Sequence, residues 1–387
     1  MLILIILKLQ LVLSFLVSLV FSSTSTGKNV IVLDYNDLKE GKDLTREIES
    51  AFGKSGLGIL TVKNVPNFQK RRMELLPLAR RFALLDDSVK KKYEDESSFY
   101  SFGWSHGKEK LQGKPDSSKG SYYANPLYDT VTDDPLIMKE YPDFAHPNIW
   151  PKNDLPELEP AFKNLGKLIS DVGVLVAQQC DAYVQKCHPN YKSNKLSSIL
   201  SSSKCAKARL LHYYARNNDN ICESNSKSIE EEFSDWCGWH NDHGSLTGLT
   251  PAVFMDNDGN IVSNNDKNAG LYIRNRASEI IKVSIPSDHI AFQIGECSQI
   301  HTGGALQATP HAVRGSTVPG ISRETFAVFM EPMWDEPMRV PDGVSPEEAQ
   351  TQSAAAALPK GVPPLSRRWD QKMSFGQFTK STLKEYY

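Results

Sequence analysis

The chain has 387 residues, 40% of them hydrophobic and 23% charged, with a formal net charge of -2. That length suits one large core or two closely packed domains, and the composition excludes wholesale disorder and a multi-span membrane protein. So small a charge supplies no field for nucleic acid, and none is expected as a partner; basic runs such as Lys70-Arg71-Arg72 read as solvated helix faces.

Taken in chain order, Leu2 to Phe21 is almost continuously apolar, interrupted by Lys8 and Gln10. Residues 1–23 read as a signal peptide or membrane anchor, which directs the chain to the secretory pathway or attaches it to a membrane through residues 2–22. An upstream extension of a cytoplasmic protein is the other reading. The six cysteines, Cys180, Cys187, Cys205, Cys222, Cys237 and Cys297, form no C-x-x-C pair. Buried thiols are expected rather than a zinc ribbon or a disulfide scaffold.

Residues 29–150 read as an α/β amino-terminal module. A strand over Asn29 to Asp34 precedes an amphipathic helix through Leu44, Ile48 and Phe52, which Gly56 and Gly58 end. A second strand covers Ile59 to Lys63, and a helix follows from Gln69 to Tyr93 with a break at Pro77. Ser97 to Pro151, rich in Gly, Ser, Tyr and Pro, is expected to form long loops that line a pocket. Residues 151–204 hold a scaffold helix, because Leu158, Phe162, Leu165, Ile169, Val172 and Val176 recur at helical spacing.

From 205 to 335 the pattern changes to short β-type runs between turn signals: Arg209 to Tyr214, Gly248 to Phe254, Gly270 to Arg274, Ile280 to Ile285, Ile290 to Ile294 and Phe326 to Met330. Residues 336–387 read as a Pro-interrupted helical extension, with helices over Glu347 to Ala357 and Gln371 to Tyr386. The predicted fold class is α+β with a mainly β core, a double-stranded β-helix or jelly-roll barrel flanked by helices. A monomer is expected.

Chemistry concentrates in Trp239-His240-Asn241-Asp242-His243-Gly244, where His240 and Asp242 stand two apart and would share one side of an extended chain. His311, before another β-type run, is placed to add a second imidazole. Two imidazoles and one carboxylate leave open positions on a metal, the arrangement suited to Fe(II) and O₂. In Ser322-Arg323-Glu324-Thr325, Arg323 and Thr325 share one face of a strand, and the permanently charged fork of an arginine grips a carboxylate in a way lysine does not. His243 and His301 compete as ligands, but His243 would point away from His240 and His301 sits beside Gly303 and Gly304 in a loop. Tyr122, Tyr123, Trp236 and Phe329 are aromatic candidates for a pocket lining.

These motifs, together with Gly58-Ile-Leu-Thr-Val-Lys-Asn64, Leu210-Leu-His-Tyr-Tyr214, Gly270-Leu-Tyr-Ile-Arg274 and Ile294-Gly295-Glu296, resemble the 2-oxoglutarate and Fe(II)-dependent dioxygenase superfamily, in its plant-type, isopenicillin N synthase-like branch. The resemblance implies that His240, Asp242 and His311 bind iron and that Arg323 and Thr325 bind 2-oxoglutarate, with Tyr214 adding a hydroxyl. It implies O₂ as co-reactant, ascorbate as a candidate reductant, and oxidation of a small-molecule substrate with release of succinate and CO₂. His212 stands where the family carries Asn, and Thr325 where it carries Ser. A same-fold oxidase that does without 2-oxoglutarate, a homologue that binds metal or ligand without turnover, and a cupin-like zinc hydrolase are the rival readings.

Overall fold

A computed structural model describes residues 30–386, apart from 109, 112–113, 217–236, 264–265, 317, 351–357 and 360. The apolar run at 2–22, Cys222 and Trp236 lie outside the described residues. None of the described helices is long and apolar enough to cross a membrane.

Strand β1 (Ile31–Asp34), helix α1 (Thr45–Phe52) and strand β2 (Ile59–Lys63) open the chain, with β1 and β2 parallel. Helix α2 (Phe68–Ala83) buries Phe68, Leu75, Leu76, Ala79 and Phe82 and runs through Pro77 unbroken. A proline leaves only the carbonyl four residues back without its bond, and Met73 lies on the exposed side of the helix, where solvent can satisfy it. The helix expected to reach Tyr93 instead ends at Ala83, followed by short helical turns at Asp87–Lys90 and Lys91–Tyr93.

The segment expected as loops contributes four strands, β3 (Gly103–His106), β4 (Lys110–Leu111), β5 (Lys114–Pro115) and β6 (Lys119–Ala124). Its aromatics drive this: Trp104 and Tyr122 pack on Phe82 of α2 with ring centroids 5.2 and 4.8 Å away. Each large apolar side chain so buried contributes roughly 1.5–3 kcal/mol. Tyr122 is therefore core, not a pocket lining. Helices α3 (Leu158–Cys187) and α4 (Lys195–Ser202) follow, and α3 buries Leu158, Phe162, Leu165, Ile169, Val172 and Val176 along one stripe as its spacing predicts.

The remaining strands are β7 (Lys207–Tyr213), β8 (Cys237–His240), β9 (Leu246–Leu249), β10 (Val253–Met255), β11 (Ile261–Val262), β12 (Gly270–Arg274), β13 (Ile280–Val283), β14 (Ile290–Ile294), β15 (His311–Arg314) and β16 (Ser322–Met330). The run from Gly248 to Phe254 is two strands rather than one, because Pro251 between them cannot donate to a ladder. Helix α5 (Glu296–His301) follows β14, and α6 (Leu365–Arg368) and α7 (Phe375–Tyr386) close the chain. Of the helix expected from Glu347, Pro346–Gln350 is described.

The strands form a large sheet in the order β1-β2-β14-β9-β16-β7-β6-β3, with β10 joined to β16 and β11 to β10, and a small sheet in the order β13-β12-β15-β8. The sheets are not closed, and they face one another as in a jelly roll, Ile59 and Ala291 of the large sheet clustering with Leu271, Ile273 and Val283 of the small one. Residues 29–150 do not stand apart: β2 pairs with β14 and β6 with β7, so the amino-terminal strands extend both sides of the core sheet.

Strand β16 shows how the alternation of side chains sorts structure from site. Phe326 meets Phe162 of α3 at 4.8 Å, so the even positions of β16 face the helices. There α3 packs tightly on the sheet; a Cβ at Gly248 would lie 2.2 Å from the Ile169 side chain, so only glycine fits. The odd positions, Arg323, Thr325, Ala327 and Phe329, face the space between the sheets. Their register partners on β7 are Tyr213, Leu211, Arg209 and Lys207, and Leu211 and Tyr213 pack against Val313 of the small sheet.

Candidate metal centre

His311 opens β15 and pairs directly with His240 at the end of β8; their rings lie 4.3 Å apart. Asp242 lies past the end of β8 rather than on it, so the turn and not a shared strand face brings it in. Its Oδ1 is 3.8 Å from Nε2 of His240 and 3.8 Å from Nε2 of His311. One donor atom from each of the three residues lies within 4.8 Å of the others.

Both imidazoles are oriented by the backbone. The Nδ1 of His240 is 2.8 Å from the Gly238 carbonyl and that of His311 is 3.3 Å from the Thr309 carbonyl, so Nδ1–H donates to each and Nε2 is left as the metal-facing lone pair. Burial and the neighbouring His240 push the His311 imidazole down to about 4; burial would lower His240 as well, but Cys237 and Asp242 push it up to about 9, so a metal binding at its Nε2 would displace a proton. Burial alone would raise the Asp242 carboxyl, but His311, His240 and a hydrogen bond from Thr247 hold it below the usual range. A neutral imidazole beside an ionised carboxylate is the form in which both ligate. The set of two imidazole nitrogens and one carboxylate fits Fe(II) with positions to spare.

A bulge in the β8–β15 pairing places Cys237 opposite Val313, on the same inner face as His240, with its Sγ 3.8 Å from His240 Nδ1. Gln293 of β14 pairs in register with Thr247, and its Oε1 is buried without a partner. Sequence reasoning singled out none of these three. Their facing follows from the ladder and not from local spacing, since Thr247 is the register partner of inward-facing Phe329 and Gln293 that of Thr247.

Arg323 is 8% exposed, and its Nε and Nη1 are buried with no hydrogen-bond partner. Its guanidinium lies over the ring of Tyr213, 4.9 Å from the centroid. Thr325 shares its face, and its hydroxyl donates to the Thr250 carbonyl at 3.3 Å. A buried cation lacking partners costs free energy unless an anion completes it, so Arg323 fits a carboxylate ligand.

Tyr214 is not in this group. It follows β7 on the helix-side face, its ring 4.5 Å from His212 and 4.9 Å from His106, and burial with Asp87 and Glu324 nearby pushes its hydroxyl up to about 12. The tyrosine beside Arg323 is Tyr213. His212 likewise points away from the space between the sheets, its Nδ1 2.9 Å from Glu324, so Leu211 rather than His212 sets the polarity there. Both corrections have one cause, the period of two along β7.

His243 and His301 stay outside the ligand set. The His243 ring stacks on Phe375 at 5.8 Å with its Nε2 3.7 Å from Glu331, and His301 is buried in α5, its Nε2 3.2 Å from the Pro337 carbonyl. Of the aromatic candidates, Phe329 and Tyr123 occupy the inner face, with Tyr123 under the guanidinium of Arg209 at 5.0 Å.

Residues 29–153 match the family described as the amino-terminal region of non-haem dioxygenase in morphine synthesis. No curated protein matches the chain. Among solved structures, a full-length Neurospora crassa protein in complex with alpha-KG and 5-formyluracil is similar, with a TM-score of 0.64 and 17% identity over 92% of this chain and 96% of that one. JOX2 in complex with 2OG, Fe and JA gives 0.58 and 18% over 92% and 85%, and the Arabidopsis thaliana dioxygenase for auxin oxidation 1, bound to 2-oxoglutarate, gives 0.55 and 13% over 82% and 97%. Identities this low speak of fold, and the chain has the fold of these 2-oxoglutarate- and Fe(II)-binding structures, with residues 29–153 similar to the amino-terminal region of a non-haem dioxygenase.

Proposed function

We propose that the protein is an Fe(II)- and 2-oxoglutarate-dependent oxygenase that oxidises a small organic substrate, releasing succinate and CO₂. The observation that carries this reading is the buried, partnerless guanidinium edge of Arg323 in the same inter-sheet space as a two-imidazole, one-carboxylate cluster. His240, Asp242 and His311 would hold iron. Arg323 and Thr325 would hold the distal carboxylate of 2-oxoglutarate, with the Tyr213 ring fixing the plane of the guanidinium. Bound Fe(II) would supply the activation of O₂ at positions the protein leaves open. The chain's own part is to orient the reactants and keep water away, which the apolar inner residues Leu211, Leu249, Ile273 and Val313 support. The apolar run at 2–22 would bring this chemistry to the secretory pathway or a membrane, which fractionation of cells producing the full chain tests.

The deciding experiment follows succinate formation from 2-oxoglutarate by the purified full chain with Fe(II) and ascorbate, beside titrations of both ligands. Turnover in the wild type, lost in His240→Ala and Arg323→Ala, supports the proposal. A wild type that binds neither ligand overturns it, and one that binds iron but not 2-oxoglutarate is the same-fold oxidase instead.

A further inference from the structure

We propose that Arg368, in the carboxy-terminal extension, is a positioning residue for the metal ligands, acting through Glu296 on the turn that joins His240 to Asp242. This rests on the metal-centre reading above. Arg368 and Glu296 are both 0% exposed, and the guanidinium grips the carboxylate through both ends, Nη2 to Oε1 at 2.6 Å and Nη1 to Oε2 at 2.8 Å. Arg368 also donates to the Thr382 hydroxyl at 3.1 Å and the Pro363 carbonyl at 3.0 Å, which anchors it to α7 and the start of α6.

Glu296 transmits that anchorage to the ligands by two routes. Its Oε1 accepts from the Asn241 side-chain amide at 3.0 Å, and its backbone N–H donates to the Asp242 carbonyl at 2.8 Å. Asn241 lies between the two ligands, so Glu296 grips the turn on both sides of the peptide that links Asn241 to Asp242. The rest of the turn is stitched to the same helix: Gly295 N–H donates to the Ser245 carbonyl, Cys297 N–H to the Gly244 carbonyl, and the Ser298 hydroxyl to the Ser245 carbonyl at 2.7 Å. The approach is close enough that a Cβ on Gly295 would lie 2.1 Å from the Gly244 carbonyl oxygen and 3.1 Å from that of Asp242.

A turn just past the end of a strand has no ladder to hold it. Asp242 therefore depends on α5 for its place, and α5 depends on Arg368 for the orientation of the Glu296 carboxylate. Both oxygens of the Glu296 carboxylate are engaged at once, Oε2 by Arg368 and Oε1 by Arg368 and Asn241 together, so the group cannot turn without releasing one of them.

The test is a titration of the full chain with Co(II), whose absorption bands report both affinity and coordination geometry without turnover. Arg368→Lys and Glu296→Gln keep most of the packing volume. Each is expected to weaken Co(II) binding roughly tenfold or more, as loss of outer-shell partners does at other sites, and to shift the bands. Trp369→Phe, which removes ring volume from the core and the hydrogen bond of the neighbouring residue to the Met338 carbonyl, should leave affinity and bands unchanged at a comparable loss of thermal stability. Wild-type affinity and bands in both Arg368→Lys and Glu296→Gln would overturn the proposal. A wild type that binds no Co(II) would instead sink the metal-centre reading beneath it.

Discussion

Arg368 and Arg323, two of the buried arginines, sit under opposite conditions. Arg368 is fully enclosed, and both of its terminal nitrogens are bonded within the chain, to Glu296, Thr382 and Pro363. Arg323 is nearly as buried, yet its Nε and Nη1 meet no partner and its planar face rests on Tyr213. A guanidinium cannot shed its charge when buried, as lysine or histidine can, so its partners must come from somewhere. The chain supplies them for Arg368. For Arg323 they are left to a ligand, and that difference marks one as framework and the other as receptor.

The largest effect that would sharpen the comparison is loss of stability at the framework arginine. Arg368→Met strands a buried carboxylate and should cost roughly 3–5 kcal/mol in urea unfolding; a loss under about 1 kcal/mol would mean the pair is not part of the framework. Arg323→Met should behave in the opposite way, leaving the stability of the ligand-free protein equal or higher because it removes an uncompensated charge. Its defect should be in response to ligand: 2-oxoglutarate at a hundred times its dissociation constant, with Mn(II) present, should stabilise the wild type by about 2.7 kcal/mol and leave this variant unmoved. Equal shifts in the two would break the contrast.

A smaller effect separates the neighbouring tyrosines. Tyr213→Leu removes the ring beneath Arg323 and should weaken 2-oxoglutarate binding by about 0.5–2 kcal/mol, whereas Tyr214→Leu should leave that affinity alone; calorimetric titration of both decides it. The smallest effect belongs to a charge whose partners are in solvent reach. Burial would raise the Asp129 carboxyl, but Lys163, Trp150 and Asn148 bring it down to about 2. Its contribution is therefore present above the unfolded value near 4 and is lost as pH falls toward 2. With its side chain 52% exposed, Asp129→Asn should cost less than about 1 kcal/mol at neutral pH, and that difference should vanish in urea titrations at the acid end.

How far each part could be read from sequence follows from where its information lies. Strands β12 and β14 match their expected bounds because each is a short apolar run between turn residues, and α3 follows from its own stripe. The metal ligands were legible because two of them sit two residues apart. Tyr213 was not distinguished from Tyr214, since two adjacent tyrosines carry the same local signal and only the pairing of β7 with β16 decides which one faces inward. Strands β3 and β6 were hidden for a related reason: their Gly- and Ser-rich sequence forms strands only because β7 offers an edge and Phe82 a surface. Arg368 gave no signal at all, with its partner 72 residues away.

The His212–Glu324 pair has a consequence beyond its own contact. These residues are direct register partners on β7 and β16, both essentially inaccessible, and Ser322 donates a further hydrogen bond to Glu324 at 2.8 Å. Sliding one strand past the other by a residue would strand a carboxylate among apolar side chains, so the pair works as a key that lets the two strands lock in only one alignment. What the key protects is on the other side of the sheet: the alignment that sets Tyr213 against Arg323 is enforced from behind, by residues that no ligand in the cavity would ever touch.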